Sequence, residues 1–378
     1  MSNRMDEAEV RRTGVEKEGR PLRVAITSHQ GGGAGSVNSV LRLALGVMQA
    51  GVEVRFVCRP DSELEVAARA GGLEVHPIPL WNAGRFANAA RLRAFLQQHP
   101  VDLIDSHGSR DRAALTWLGL SRRLAVPLII TRRSWPRSTR LGTWLAGRVA
   151  CRVVTLSAPV AAELVRRGTP AAKLRVIPNG ILLDRIDRTV TTEEQTAWLA
   201  RIGGADHRRT VGIVARPKDQ PVVIAALAFV RTPVRLVLAG LNGRSLTEPL
   251  PGVPDRHRVV RLPFLPEIRP LYDLLEVVLH PSRWDAQPQA VLEAMALGKP
   301  VLASRATGHE VLIRDGVDGW LLPPTDPRAW GVALDQLLVD PALAARLGAA
   351  ARERVRTDFP FARTVAQTVA LYHAVAGW

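Results

Sequence analysis

Short apolar segments alternate with longer helix-like segments along almost the whole chain, and this alternation restricts the fold more than any other feature. Short segments rich in Val, Ile and Leu predict strands, and strands separated by helices form βα units that build parallel sheets. In a first series the predicted strands span 22–27, 52–57, 73–75, 102–105, 127–131, 152–155 and 174–177. The predicted helices between them include 36–49, 87–98, 112–122 and 158–166.

A second series of the same kind follows Asn179-Gly180. Its predicted strands span 211–214, 234–239, 259–262, 277–280 and 301–303. Its predicted helices span 220–229, 270–275, 288–297, 329–339 and 341–356, and Thr192 with Gln195 has the capping-box spacing of a short helix ahead of them. A last helix, 361–375, follows Pro360 and either stays with this series or crosses back to the first.

Two α/β domains are therefore expected, since 378 residues exceed one ordinary core. We place a disordered leader at 1–20, a first domain at 21–184, a second at 185–356 and the C-terminal helix at 357–378. Each domain is predicted to be a Rossmann-like, doubly wound sheet. A ligand is expected in the cleft between the domains, at the carboxyl ends of the strands.

The chain is strongly basic, with a formal charge of +16 and a pI near 11.3, which points to an acidic partner: nucleic acid, an anionic lipid or a phosphorylated substrate. The segment from Arg110 to Arg152 contains ten arginines and only one acidic residue, Asp111. This run is interpreted either as a solvated surface or as a surface for an anionic membrane. Nucleic acid is not expected as a partner, because the aromatic residues in the run have no regular interleaving.

Neither a membrane span nor a disulfide framework is indicated. The longest apolar runs are far shorter than the roughly 18 residues that a span requires. Cys58 and Cys151 lie far apart without a CxxC spacing, so neither a disulfide framework nor a zinc site is expected. The prediction is a cytoplasmic protein, either free or bound to the inner face of the membrane.

The stretch 281–301 carries the clearest chemical pattern. Pro288 is predicted at the first helical position, where its missing N–H has no intrahelical partner in any case. The free N–H groups of Gln289 and Ala290 then favour a phosphate at the helix start. Asp285 and Glu293 are predicted to face the cleft, and the alternatives are a surface acid near the helix dipole and a solvated helix position.

Three further segments follow predicted strands. The loop with Gly32 and Gly33 allows a close backbone approach to a ligand, or is a plain flexible turn. His107 either donates to a substrate hydroxyl or stabilises developing charge, or it is a partly buried histidine satisfied by backbone. Arg216 and Lys218 either neutralise a diphosphate or are ordinary exposed cations.

The pattern from Asp285 to Glu293, continued by the segments 298–301, 308–310 and 315–319, resembles the retaining, nucleotide-sugar-dependent glycosyltransferases of family 4, which have the GT-B fold. The resemblance covers nearly the whole chain after the leader. It implies an enzyme of the EC 2.4 class that transfers a sugar from a nucleotide-sugar donor to a cell-envelope or lipid-linked glycan acceptor. The first domain would lie on the acceptor side, and the second would bind the donor. No metal cofactor is expected, since no DxD motif occurs.

The resemblance also implies roles for the residues. Glu293 would bind the ribose hydroxyls and Asp285 those of the donor sugar, while Arg216 and Lys218 would bind the diphosphate. His107 and the Gly32-Gly33 loop would frame the transferred sugar.

Two departures keep other functions open. The family usually has Glu where Asp285 stands, and several residues where Pro217 alone separates the two cations. A sugar-nucleotide epimerase or a catalytically weak homologue is the alternative, and a nucleic-acid-binding protein ranks below both.

Overall fold

The computed structural model describes residues 20–32, 35–80, 84–243, 250, 252–265 and 267–378, and they form two parallel sheets covered by helices. The strands of the first sheet are β1 Arg23–Thr27, β2 Glu53–Cys58, β3 Glu74–Pro77, β4 Leu103–Ser106, β5 Leu128–Arg132, β6 Arg152–Thr155 and β7 Leu174–Val176. Their order is β3-β2-β1-β4-β5-β6-β7. The helices that follow these strands are α1 Gly35–Gln49, α2 Glu63–Ala70, α3 Arg85–Gln98, α4 Ser109–Leu120, α5 Arg140–Val149 and α6 Ala158–Arg166, with a short 3₁₀ helix at Ala171–Lys173.

The second sheet has the order β10-β9-β8-β11-β12-β13. Its strands are β8 Arg209–Val214, β9 Val234–Leu241, β10 Arg258–Pro263, β11 Val277–His280, β12 Val301–Ser304 and β13 Trp320–Leu322. The remaining helices are α7 Leu183–Asp187, α8 Thr192–Arg201, α9 Gln220–Ala226, α10 Arg269–Leu274, α11 Gln289–Ala296, α12 Pro327–Val339, α13 Pro341–Asp358 and α14 Phe361–Ala376, with a 3₁₀ helix at Leu227–Phe229. All strand pairs are parallel, and the prediction of two doubly wound α/β domains is confirmed.

The apolar strands are continuous because both faces of each sheet are covered. In β1, Val24 and Ile26 pack into one core, while Ala25 between them belongs to the core on the opposite face. Strands β4, β5, β11 and β12 are buried at every residue. Successive side chains of such a strand point to opposite faces of the sheet, and helices cover both faces. The strand sequences are therefore apolar throughout instead of alternating between apolar and polar residues.

The strand order reverses at one point in each sheet. In the first sheet β1 lies between β2 and β4, and in the second β8 lies between β9 and β11. The loops that leave the carboxyl ends of β1 and β4, or of β8 and β11, therefore diverge and leave a crevice between them. These four loops include most of the residues that the sequence marks as candidate site residues.

The chain crosses between the domains twice at the same place. The Ile181 N–H donates to the Phe359 carbonyl at 2.8 Å, and the Phe361 N–H donates back to the Ile181 carbonyl at 3.1 Å. A Cβ on Gly180 would lie 2.4 Å from the Phe361 Cα, so the two crossings touch backbone to backbone. After the second crossing, α14 packs on α1, and Leu371 and Tyr372 join the core of the first sheet.

Several elements differ from the sequence predictions. Helices α2, α5 and α7 and the edge strand β13 were not predicted. Strand β13 has three residues, and α5 lies inside the arginine run, whose charge hides its helical pattern. The capping box of α8 is formed by Thr191 and Glu194, one residue earlier than the predicted pair.

Candidate active site in the interdomain cleft

A cavity of about 670 Å³ lies between the two domains, at the carboxyl ends of both sheets. Of the residues that the sequence marks as candidates, those that line this cavity are His107, Arg216, Lys218, Asp285, Gln289 and Ala290. Glu293 lines a smaller adjoining pocket, which shares its wall at Arg216, Gln289 and Ala290. Gly33 lies outside the described residues. The topology thus brings most of the predicted residues to one place.

Lys218 and Asp285 form an ion pair across the crevice between β8 and β11. Both side chains keep some solvent access, 29% for Lys218 and 18% for Asp285. The short loop after β8 is held by Gln220, whose side-chain amide donates to the Arg216 carbonyl at 2.8 Å and whose carbonyl oxygen accepts from the Lys218 N–H. These two hydrogen bonds fix the conformation of this short loop.

Arg216 is exposed and lies at the junction of the main cavity and the smaller pocket. Because it stands two residues after β8, its guanidinium and the Lys218 ammonium are on the same loop. Among the described residues, Asp285 is the only carboxylate in the lining of the main cavity, and it is paired with Lys218. The cavity therefore has a net positive wall that suits an anionic ligand.

Helix α11 begins at Gln289, and Pro288 is its N-cap rather than its first residue, which corrects the predicted position. The ψ angle of Pro288, 122°, is extended, as is usual for a cap. The Leu292 N–H donates to the Pro288 carbonyl at 3.3 Å and closes the first turn. Gln289 and Ala290 lie within that turn and line the cavity, where the free N–H groups of a helix start favour an anion.

Glu293 lies one turn further along α11, in a pocket of about 110 Å³. The Tyr272 hydroxyl donates to its carboxylate at 3.4 Å, and the Arg42 guanidinium from the first domain lies 3.6 Å away. Its side chain is only 14% exposed, so it is not a solvated helix position. Gly240, on the wall of the same pocket, has φ +100°, and a Cβ there would lie 3.0 Å from the Ala215 carbonyl oxygen.

The His107 side chain is fully buried, and both ring nitrogens face protein side chains. Its Nδ1 accepts a hydrogen bond from Arg133 at 2.9 Å, and its Nε2 lies 3.1 Å from the Asp105 carboxylate. This position agrees with the alternative of a buried histidine, but the partners are side chains rather than backbone. Burial alone raises the pKa of Asp105, yet His107, Tyr372 and Thr131 together hold that pKa below its ordinary value.

Arg133 was not predicted as a site residue, although it joins three parts of the cleft. Besides His107, it donates to the Ser39 hydroxyl at 3.0 Å and to the Asn179 side-chain oxygen at 2.8 Å. Burial lowers its pKa to about 10, and the nearby Asp105 charge opposes that shift. Gln287 from the second domain then binds the Asn179 backbone, accepting from its N–H at 2.6 Å. This network holds the two domains together beneath the cavity.

Asp111, the single acid of the arginine run, ties the two loops of the first domain together. It accepts hydrogen bonds from the Thr27 and Ser106 hydroxyls at 2.7 and 2.9 Å and from the Gly108 N–H at 2.9 Å. Burial opposes its ionisation, but these bonds and His29 lower its pKa to about 2. Because these hydrogen bonds occupy the carboxylate, it holds the two loops in place and does not neutralise the positive charge of the cavity wall.

Gly32, predicted to let the backbone approach a ligand, does not line the cavity; Gln30 and Gly35 of the same loop do. It has φ +149°, and a Cβ there would lie 2.6 Å from the Glu63 carboxylate. Its positive φ favours glycine, and a side chain there would also crowd the Glu63 Cβ at the start of α2, at 3.0 Å.

Two tryptophans stand at the mouth of the cavity, one from each domain. The ring centres of Trp135 and Trp284 are 5.6 Å apart, and Trp284 is 59% exposed. Among the described residues, one group of potential metal ligands is formed by Glu74 and His76 of the edge strand β3 and His99 at the end of α3, and none of them lines the cavity. Within the described part of the chain, no helix is long and apolar enough to cross a membrane.

Comparison with known proteins gives a match for each half of the chain. Residues 208–340 match the family described as "Glycosyl transferases group 1", and residues 33–185 match "Glycosyltransferase Family 4". The D-inositol 3-phosphate glycosyltransferase of Salinispora arenicola is 27% identical, over 97% of this chain and 95% of that protein.

Solved structures share the fold. The structure of Anabaena Alr3699/HepE in complex with UDP and glucose matches with a TM-score of 0.79 at 20% identity, over 93% of this chain and 100% of that one. That of WaaG, a glycosyltransferase involved in lipopolysaccharide biosynthesis, matches with a TM-score of 0.66 at 17% identity, over 94% of this chain and 100% of that one. These likenesses show the two-domain architecture that the sequence predicts.

Proposed function

This chain belongs to the group 1 glycosyltransferases of family 4, with the GT-B fold, and from that premise we propose that it transfers a sugar from a nucleotide-sugar donor to a cell-envelope or lipid-linked glycan acceptor. The family and the enzyme class agree with the sequence predictions. The observation that carries the donor proposal is the cationic cavity wall at the second sheet, where Arg216, Lys218 and the start of α11 converge. The solved neighbour that binds UDP and glucose supports UDP-sugars as the first donors to test.

In the proposed mechanism the donor diphosphate lies against Arg216, Lys218 and the Gln289 N–H. Cations and a helix start fixed in advance stabilise the charge that develops on the leaving diphosphate. The bond between the anomeric carbon and the phosphate oxygen breaks, and a bond to the acceptor oxygen forms on the same face. The acceptor proton passes to the departing phosphate oxygen, so the configuration is retained and no metal takes part.

The two carboxylates divide the rest of the donor between them. Glu293 accepts from the ribose hydroxyls in the small pocket, and Asp285 accepts from a hydroxyl of the transferred sugar. On sugar binding, Asp285 exchanges its contact with Lys218 for the sugar, and Lys218 turns to the diphosphate. The two groups of this ion pair therefore have different ligands in the proposed donor complex.

The test is transfer from a panel of UDP-, GDP- and ADP-sugars, with the anomeric configuration of the product read by NMR. Glu293→Gln is expected to lower transfer about tenfold to a hundredfold, because it removes charge-assisted hydrogen bonds. Glu276→Gln is the matched control, since Glu276 precedes β11 and stands at the other end of the sheet. Equal activity of the two variants would refute the placement of the ribose, and epimerisation without an acceptor would refute transfer.

We also propose that the first domain rests on an anionic membrane surface through α5. Leu141 and Trp144 on this helix are 64% and 41% exposed, and Arg140 and Arg148 flank them. Exposed apolar residues beside cations are typical of an interfacial helix. Co-sedimentation with phosphatidylglycerol vesicles, compared with phosphatidylcholine vesicles, should show binding that Leu141→Ser weakens. Equal sedimentation with both lipids would contradict this proposal.

A further inference from the structure

Two histidines and a glutamate meet at the outer edge of the first sheet, away from the cleft. Glu74 and His76 belong to the edge strand β3, and His99 directly follows α3. One ligand atom from each of the three lies within 4.8 Å of the ligand atoms of the other two. A tetrahedral zinc ion with bonds of about 2.0–2.2 Å keeps its ligand atoms roughly 3.3–3.6 Å apart, so small side-chain rotations bring these three atoms into range.

The pleat of β3 places Glu74 and His76 on one face of the sheet. Side chains two positions apart in a strand point to the same side, and Val75 between them is buried in the core of the opposite face. His76 Nε2 already lies 2.7 Å from a Glu74 carboxylate oxygen. A divalent ion takes the place of the proton between these two atoms, so metal binding releases that proton.

Phe95 of α3 holds the two imidazole rings together. Its ring centre lies 5.0 Å from that of His76 and 5.1 Å from that of His99, and the two imidazole centres are 4.2 Å apart. Phe95 itself is buried in the core on this face of the sheet. The His99 N–H donates to the Phe95 carbonyl at 2.9 Å, which also fixes the backbone of this ligand. Because both histidines are positioned by packing, a metal ion orders few groups when it binds.

This set of ligands suits zinc better than magnesium or calcium. Zinc binds imidazole nitrogens and carboxylate oxygens, and imidazole suits the late first-row transition ions in general. Magnesium and calcium take oxygen ligands, whereas two of the three ligands here are nitrogens. The His76 side chain is 17% exposed and that of Glu74 is 48% exposed. An ion therefore has access from solvent and can keep a water molecule as its fourth ligand.

Arg55 is the charged neighbour that competes with a cation for Glu74. Its Nε lies 3.5 Å from the Glu74 carboxylate. The same guanidinium binds the Glu53 carboxylate at 3.3 Å and donates to the Pro100 carbonyl at 2.6 Å. Arg55 therefore keeps two partners when the Glu74 carboxylate turns to a metal ion, and its charge weakens metal binding without preventing it.

We propose that Glu74, His76 and His99 form a zinc-binding site that links the edge strand β3 to the end of α3. The ion closes the chain segment between its ligands, so it stabilises the first domain against unfolding. Neither cysteine belongs to this group of ligands, which is why the cysteine spacing gave no sign of a zinc site. The site does not line the cavity, so the bound ion has a structural role that is separate from sugar transfer.

The experiment is calorimetric titration of the full chain, freed of metal with a chelator, with zinc chloride alone. Thermal melts with and without zinc accompany it. The test variants are His76→Phe and His99→Phe, because phenylalanine keeps a ring against Phe95 but has no nitrogen to bind the metal. The matched control is His207→Gln, which removes an exposed histidine outside the group of ligands.

The expected result is zinc binding that each test variant weakens about tenfold or more and that the control leaves unchanged, since losing even an outer partner of a metal ligand typically costs that much. Zinc should also raise the melting temperature of the wild type and the control, and raise it less in the test variants. Magnesium should do neither. If the wild type does not bind zinc, or if the test variants bind it as well as the control does, the site is refuted. Both readouts are independent of sugar transfer, so this result does not depend on the proposed function.

Discussion

The Lys218–Asp285 ion pair leads to a prediction with opposite signs for two ligands. The two side chains form an ion pair and neutralise each other. Asp285→Asn releases Lys218, so the affinity for UDP, which has no sugar, should rise. The same substitution removes the carboxylate proposed to hold the transferred sugar, so transfer from a UDP-sugar should fall. A loss of activity alone does not separate the two effects, whereas comparing UDP affinity with the rate of UDP-sugar transfer does.

The magnitudes follow from the exposure of the pair. Because both side chains are partly solvated, the ion pair contributes at most about 1 kcal/mol, so UDP should bind up to about fivefold more tightly. A hydrogen bond from a sugar hydroxyl to a carboxylate is worth about 1.5–3 kcal/mol. The ratio kcat/KM for UDP-sugar transfer should therefore fall roughly tenfold to a hundredfold.

Calorimetry with UDP and initial-rate assays with a UDP-sugar measure the two effects. Asp219→Asn is a close control, since Asp219 binds Arg283 at 2.9 Å across the same two loops but does not line the cavity. It should leave both quantities within about twofold of the wild type, as expected for an exposed pair. If Asp285→Asn weakens UDP as much as it slows transfer, Asp285 acts by placing Lys218, and the assignment to the sugar is wrong.

Three further predictions concern stability and metal dependence. Gly180→Ala should lower the free energy of unfolding by about 1–3 kcal/mol in thermal or urea melts, because its Cβ meets the Phe361 backbone, whereas Gly84→Ala, in open space, should have little effect. Burial lowers the pKa of His309 to about 4. The unfolded chain therefore binds a proton at this histidine first as the pH falls below about 6.5, and roughly 3 kcal/mol of stability should be lost by pH 4. In urea titrations, His309→Gln should reduce this loss of stability, and the exposed His207→Gln should not. EDTA should leave transfer rates unchanged, and a loss that Mg²⁺ restores would refute the metal-independent mechanism.

The architecture was predictable from the sequence because it depends on local patterns. An apolar strand and the polar loop after it are each a run of consecutive residues that can be recognised in the sequence. A parallel sheet then brings the carboxyl ends of all its strands to one edge. Asp285, Arg216 and His107 were therefore assigned to one cleft without any knowledge of the contacts between them. Glu293 was assigned to the same cleft because it lies about one helical turn beyond the predicted helix start.

The first-domain arginines that line the cleft were not predicted as site residues. Arg132 is the last residue of β5 and Arg133 follows it, so the rule that selected Arg216 applied to them as well. The basic run as a whole was interpreted as a solvated surface, a membrane-facing surface or a surface for a phosphorylated substrate, and neither residue was assigned to the site. The inward direction of His107 was not predictable either, since it depends on Tyr372 and Thr131 through Asp105, and Tyr372 lies 267 residues from that carboxylate in the chain.

The double crossing at Ile181 and Pro360 has a consequence for synthesis on the ribosome. The first domain lacks part of its core until α14 is made, because Leu371 and Tyr372 belong to that core. Helix α14 is translated only after every strand of the second sheet. The second domain is thus able to complete its fold earlier, although it begins later in the chain. The hydrogen bond from Tyr372 to Asp105, at 2.6 Å, then joins the last helix to the network beneath the cavity.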